Sequence, residues 1–319
     1  MAPLNQVLVG GKTPIPHLIY GTAWKYERTE ELVFTALESG FRAIDSALAF
    51  PNYQEPMVGK ALRNWEEEMS HEKQNPEVSE EKDRRSGNAG RQKVFIQSKL
   101  TPPAGFEDGM MPYDLTDPPA TQARKSLEAS LTELSDHKSP LDAWLLHAPL
   151  STIEETMEYW HSMESHVPTG TMYLGICNVS LTTLQNIYER ATIKPAIVQN
   201  DFRPAHGFDI NLLHFCKDHG ITYQAYAVLK GNSTLLKSPI VCWLAHEKGI
   251  TEPQALYSLV LSYWNGTVCI LDGTKSTETM KQDLDIVDKL GNLDQYILEG
   301  FKEALIVDEG VVWPTDKST

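Results

Sequence analysis

A chain of 319 residues with 41% hydrophobic and 22% charged side chains is globular and long enough to bury about three quarters of its unfolded surface, which excludes disorder as a whole. Its formal net charge of −15 leaves no general basic face for nucleic acid or an anionic membrane, so any anionic ligand has to be held by a local cluster. No apolar run reaches the roughly 18 residues that span a bilayer, and MAPLNQVLVGG has no basic region leading into a long apolar stretch. The expectation is a cytosolic protein with no membrane partner and no nucleic-acid partner. Cys177, Cys216, Cys242 and Cys269 form no CxxC pair and each lies in an apolar segment, which reads as four reduced core cysteines.

In chain order, residues 7–16 read as a small hairpin turning at Gly10 and Gly11, and 17–22 as the first core strand. Thr29 precedes a helix with Leu32, Val33, Ala36 and Leu37 on one face, and Gly40 stops it. The stretch GFRAIDSALAFPNYQEPMVGKAL at 40–62 then joins a buried strand to a helix, with Asp45 at the strand end and Pro51, Asn52 and Tyr53 in the turn. The helix is expected over 53–65. Residues 66–92 have almost no apolar members and read as an exposed polar insertion.

KVFIQSKL at 93–100 is the third strand and brings Lys99 to its end; the Pro- and Gly-rich residues 101–119 are a loop of the kind that binds ligands. A helix over 120–134 is followed by the strand at 141–147, which ends on His147. The alternation continues with a helix at 152–163, a strand ending in Cys177 and Asn178, a helix at 181–190, and a strand ending in Gln199 and Asn200. A helix closed by Gly220, a strand at 222–229, two helices within 239–263, the last strand at 267–273 and a helix from Ser276 to Leu290 complete the pattern. A further helix is expected around 296–305, before an irregular tail from 306. Eight short apolar strands separated by helices require parallel pairing, and eight such units close into a (β/α)8 TIM barrel, expected as one domain over 1–319.

Active sites of such barrels lie at the C-terminal ends of the strands, so Asp45, Lys99, His147, Asn178, Gln199 and Tyr226 can be pooled although they are distant in sequence. Asp45, Tyr53, Lys99 and His147 form a coherent proton-handling set. An ammonium lowers the pKa of a nearby phenol, a carboxylate holds the ammonium in place, and an imidazole orients a carbonyl oxygen. Such a set protonates a developing alkoxide, and the matching hydride has to come from a nicotinamide. No GxGxxG follows a strand, and the histidine pairs 161/166 and 214/219 give no metal pattern, so neither a Rossmann site nor a metal is expected.

These motifs resemble those of the aldo-keto reductases over nearly the whole chain. IDSA at 44–47, VFIQSKL, LLHAP at 145–149, LGICN, PAIVQN and AYAVL are similar to the family's signatures, and the spacing is closest to a fungal branch with a longer segment between aspartate and tyrosine. The resemblance implies Asp45, Tyr53, Lys99 and His147 as catalytic residues. It implies Asn178, Gln199 and Tyr226 at the nicotinamide of NADP(H), with Thr22, Leu229, Gly273, Thr274, Lys275 and Ser276 completing the cofactor site, and Trp24 and Phe50 lining the substrate pocket. A monomer acting on a small carbonyl compound of secondary metabolism is what such a resemblance implies.

Three departures stand out. Phe50 occupies the tyrosine's usual spacing from the aspartate, and Tyr53 lies three residues later. LDGTKS puts Asp272 where the family's phosphate motif has proline, and Thr279 stands near its arginine. Cys177 replaces a serine. They leave open a redox-neutral enzyme on the same barrel, or a noncatalytic NADPH-sensing subunit that docks through 66–92.

Overall fold

The computed structural model describes residues 7–72, 94–103, 110–135, 139–289 and 293–307. A hairpin of β1 (Val7–Val9) and β2 (Thr13–Ile15) turns at Gly10 and Gly11, both in the left-handed region that glycine enters without steric cost. Eight parallel strands follow: β3 (Leu18–Gly21), β4 (Ala43–Asp45), β5 (Phe95–Leu100), β6 (Leu141–Leu146), β7 (Thr171–Cys177), β8 (Ile197–Asp201), β9 (Thr222–Tyr226) and β10 (Val268–Asp272). They pair in sequence order, and β10 returns to β3 to close the barrel. The fold is the (β/α)8 TIM barrel that the alternation of elements requires.

The helices are α1 (Thr29–Ser39), α2 (Glu55–Glu72), α3 (Pro119–Ser135), α4 (Ile153–Glu164), α5 (Leu181–Arg190), α6 (Ile210–Asp218), the single turn α7 (Ser233–Leu236), α8 (Pro239–Lys248), α9 (Glu252–Tyr263), α10 (Thr277–Lys289) and α11 (Gln295–Val307). Their ends follow local chemistry. Gly40 closes α1 at φ 119°, and Thr152 with Glu155 and Thr251 with Gln254 form reciprocal capping boxes at the starts of α4 and α9.

Apolar residues form two layers. Val7, Val9 and Ile15 of the hairpin pack with Ile19, Ala43, Phe95, Ala143 and Ile197, plugging the N-terminal end of the barrel. A larger cluster joins the outer strand faces to the helices, with Trp144, Trp160, Trp264 and Phe301 among its fully buried members. With hydrocarbon filling much of the lower interior, the buried ion pair of Asp45 and Lys99 lies at the strands' C-terminal ends.

Three details differ from expectation. Thr29 is the first residue of α1 instead of its cap, and its hydroxyl donates to Tyr26 O at 2.7 Å. The helix expected to stop at residue 65 continues to Glu72, because Trp65 and Met69 prolong its apolar stripe into the supposed insertion. The rest of that insertion (73–92), Phe106 and the tail from 308 lie outside the described residues. Cys242 is exposed on α8, whereas Cys177, Cys216 and Cys269 are buried as expected.

Candidate active site

Strand alternation builds the polar interior. In β5, Gln97 and Lys99 point into the barrel while Ser98 points outward to the helices, and β4 ends at Asp45 beside them. Asp45 and Lys99 are 1% and 0% exposed, and the ammonium donates to Oδ1 at 2.7 Å and Oδ2 at 2.8 Å, with a further bond to Ser46 O at 2.8 Å. Gln97 and Gln199 also donate to Asp45 Oδ1, at 2.6 and 2.9 Å. Burial alone would neutralise Lys99, but the Asp45 carboxylate reverses that, and the ammonium is held charged well above its usual range.

Tyr53 stands over this pair. Lys99 Nζ is 4.9 Å from its ring centroid, and the ring meets His147 edge-on with centroids 5.8 Å apart. Desolvation pushes the Tyr53 phenol up to about 12, opposed by the charge of Lys99. His147 is pushed down to about 3 by burial and by Lys99, so the imidazole is neutral. Its Nδ1 pairs with Thr101 Oγ1 at 2.9 Å, and Tyr113 OH donates to Thr101 O at 2.9 Å, which fixes the ring and leaves Nε2 as the nitrogen for a ligand. Phe50 is 42% exposed, and no ring contact joins it to Lys99 or His147.

Asn178 and Gln199 are complementary to a primary carboxamide. Both N–H bonds of Gln199 are used, toward Asp45 Oδ1 and Gln224 Oε1 at 2.9 Å each, and its carbonyl oxygen, which accepts from Cys177 Sγ at 3.8 Å, keeps a second lone pair to accept with. Asn178 donates one N–H to His147 O at 2.9 Å and accepts from Tyr226 OH at 2.7 Å, keeping a second N–H to give. One spare acceptor and one spare donor suit a nicotinamide amide. Gln199 is more buried than a rim residue, because Gln97 and Gln224 form a reciprocal amide pair at 2.8 Å beneath it.

At the end of β10 the backbone turns through Gly273, Thr274, Lys275 and Ser276 into α10, whose Thr279 N is capped by Ser276 Oγ at 3.3 Å. Tyr20 OH donates to Thr274 O at 3.0 Å and Lys275 Nζ to Trp24 O at 3.1 Å. Thr22 is buried and donates to Asp45 O at 2.9 Å, so it braces the aspartate's backbone; Leu229 is half-buried against the outer core. Trp24 has φ 55° and is 53% exposed, with Lys230 Nζ 5.6 Å from its ring centroid.

Residues 17–239 match the family profile described as the aldo/keto reductase family. The chain belongs to this family. Among curated relatives it is 26% identical over 275 residues to an uncharacterised oxidoreductase of Schizosaccharomyces pombe, covering 85% of this chain and 82% of that one. It is also 26% identical over 309 residues to that yeast's NAD/NADP-dependent indole-3-acetaldehyde reductase, covering 89% and 93% of the two chains. Among solved structures, an aldose reductase from Schistosoma japonicum superposes with a TM-score of 0.70 at 23% identity, covering 96% of this chain and 93% of the other. An aldo-keto reductase solved with NADPH superposes with a TM-score of 0.70 at 17% identity, covering 95% and 88%. The aldo/keto reductase family uses a nicotinamide dinucleotide, NAD(P)H.

Two polar groups of this aldo/keto reductase escape a strand-end survey. Lys25, beside Trp24, is 3% exposed, donates to the carbonyls of Gly273 and Thr274, and lies 5.0 Å from the Tyr20 ring centroid. Desolvation, together with Lys275, pulls its ammonium down to about 8. Its signal in the sequence was the GTAWK motif, read only for its tryptophan. Glu55, at the start of α2, accepts from Ser98 on β5 and from Ser130 on α3 at 2.8 Å, and burial pushes its carboxyl up to about 7. Only the register of β5, which turns Ser98 outward, reveals that partner.

Proposed function

We propose that this aldo/keto reductase reduces an aldehyde or ketone with NADPH, Tyr53 giving the proton. The observation that carries the reading is the packing of Tyr53 against both Lys99 and His147, above the buried Asp45–Lys99 pair. When bound, the dihydronicotinamide supplies the hydride. Neutral His147 has a free Nε2 with which to orient the carbonyl oxygen, and Tyr53, protonated at neutral pH, passes its proton to that oxygen as negative charge develops. Lys99 stabilises the phenolate left behind, and Asp45 keeps Lys99 charged and in place.

Asn178, Gln199 and Tyr226 would hold the nicotinamide, and the 273–276 turn with Lys275 would take the phosphates, which favours NADPH over NADH. Trp24 and Phe50, exposed at the same end of the barrel, would meet the substrate, an apolar carbonyl compound of some size. The protein would work as a monomeric, single-domain cytosolic enzyme, in keeping with its acidic composition and with the absence, among the described residues, of a helix long and apolar enough to cross a membrane.

Titration with NADPH and NADH by intrinsic fluorescence, followed by turnover of a broad carbonyl panel, tests the reading. Tighter binding of NADPH with turnover is expected; binding of neither nucleotide, or tight binding with no turnover of any carbonyl, refutes it.

A further inference from the structure

Strand register sets a threonine hydroxyl beside the imidazole of His147. In the parallel pair of β5 and β6, Lys99 faces Leu145 and Leu100 faces Leu146, and the pairing runs one residue further, with His147 N donating to Leu100 O at 2.9 Å. Thr101 is therefore the neighbour of His147, and its Oγ1 lies 2.9 Å from Nδ1. Thr101 is 2% exposed, and its backbone is fixed from the loop beyond, because Tyr113 OH donates to Thr101 O at 2.9 Å. His147 is also held without Thr101: Asn178 donates to its carbonyl oxygen at 2.9 Å, and the Tyr53 ring packs edge-on against the imidazole.

A neutral imidazole carries one N–H, and a bond between Oγ1 and Nδ1 can run in either direction. With the proton on Nδ1, the ring donates to Thr101 and Nε2 offers only a lone pair, which a carbonyl oxygen repels. The hydroxyl proton of Thr101 would then be buried with no acceptor among the described residues, where Nδ1 is the partner of Oγ1. With the proton on Nε2, Thr101 donates to the Nδ1 lone pair, both groups are satisfied, and the Nε2–H is left to give. Pairing every buried donor selects this second arrangement. Burial and the charge of Lys99 keep the ring from taking a second proton, which would make Nδ1 a donor and reverse the bond.

We propose that Thr101 is a positioning residue for the reaction: its hydroxyl donates to His147 Nδ1 and holds the imidazole as the Nε2–H tautomer, the form that can donate to a substrate carbonyl oxygen. The proposal rests on reading His147 as the group that orients that oxygen. Thr101 acts through the ring alone.

Nitrogen-15 spectra of histidine-labelled protein at neutral pH read the tautomer directly, with His147→Gln identifying which of the ten histidines is observed. Wild type and Thr101→Ser should show an unprotonated Nδ1 and a protonated Nε2. Thr101→Val, which keeps the shape and removes the hydroxyl, should move the Nδ1 resonance, because the lone pair loses its donor. In steady-state assays with NADPH, Thr101→Val should lose roughly tenfold in kcat/KM for a carbonyl substrate, about what one buried hydrogen bond is worth. Thr101→Ser should restore that loss, and NADPH affinity by fluorescence should be the same in all three proteins. Thr101→Ala serves if Thr101→Val does not fold, and the wild-type spectrum needs no variant.

A wild-type spectrum with the proton on Nδ1, or an Nδ1 resonance unmoved in Thr101→Val, overturns the tautomer assignment. The expected tautomer with kcat/KM unchanged in Thr101→Val, or a loss that Thr101→Ser does not restore, overturns the positioning role. Wild type that binds NADPH yet turns over no carbonyl overturns the reading of His147, and the positioning role with it, while the spectra still decide the hydrogen bond.

Discussion

Tyr53→Phe is the substitution that bears most directly on the mechanism, because it removes one oxygen and leaves the ring packed against His147 and Lys99. The phenol sits at about 12, so at neutral pH about one molecule in 10⁵ is ionised and the acid form is fully available for reduction. Loss of a positioned general acid costs about 10²- to 10⁴-fold in kcat, or about 3 to 5 kcal/mol of barrier. Lys99 keeps its bonds to Asp45 and Ser46, so the stability change should stay near 1 kcal/mol. Steady-state kinetics at saturating NADPH, with nucleotide affinity from fluorescence, separate chemistry from binding: kcat should collapse while affinity holds. Adding Phe50→Tyr should not restore activity, since no ring contact joins that side chain to Lys99 or His147. In the oxidation direction the phenolate is required, so the wild-type rate should climb with pH through the alkaline range, whereas reduction stays flat near neutrality. Unchanged turnover in Tyr53→Phe, or rescue by Phe50→Tyr, refutes the assignment of the acid.

Lys99→Met strands the Asp45 carboxylate in the barrel with only amide donors, which should cost about 3 to 5 kcal/mol in denaturant unfolding and abolish turnover. Glu55 is raised from the ordinary 4.5 to about 7, so wild-type stability should fall as pH rises across that interval; Glu55→Gln should remove about 3 kcal/mol of this dependence in melting curves taken against pH. A Cβ on Gly59 would stand 1.8 Å from Glu133 O, where α2 crosses α3, so Gly59→Ala should lose about 3 kcal/mol or more by the same unfolding assay. His147 is already neutral because burial and Lys99 pull it down to about 3, so the pH profile of kcat/KM should show no histidine limb between about pH 5 and pH 8.

The barrel was legible because each strand is a short run of apolar residues bounded by helix signals, and parallel strands buried on both faces have that composition. Strand-end residues such as Lys99 and His147 were legible for the same reason, since a barrel brings all those ends together. Helix limits were less so. Glu-rich residues 66–72 look like solvated loop, yet Trp65 and Met69 bury one side of α2 and carry the helix through them. Glu55 stands at a helix start, where nothing in the local pattern marks it as buried, and only its place between β5 and α3 makes it so.

The sequence by itself determined the order of elements, the closure into a barrel and the chemical types at the strand ends, because these depend on local periodicity and on a connection rule without alternatives at eight βα units. It left undecided whether Phe50 or Tyr53 faces Lys99, because a turn of a few residues containing proline can direct either side chain inward. The tertiary structure set the Tyr53 ring against Lys99, turned Gln199 toward Asp45, and brought Lys25 and Asp272 to one turn of backbone. Those contacts join residues as many as 249 positions apart in the chain (25 to 274), and distances of that kind are set by packing, which no local pattern encodes.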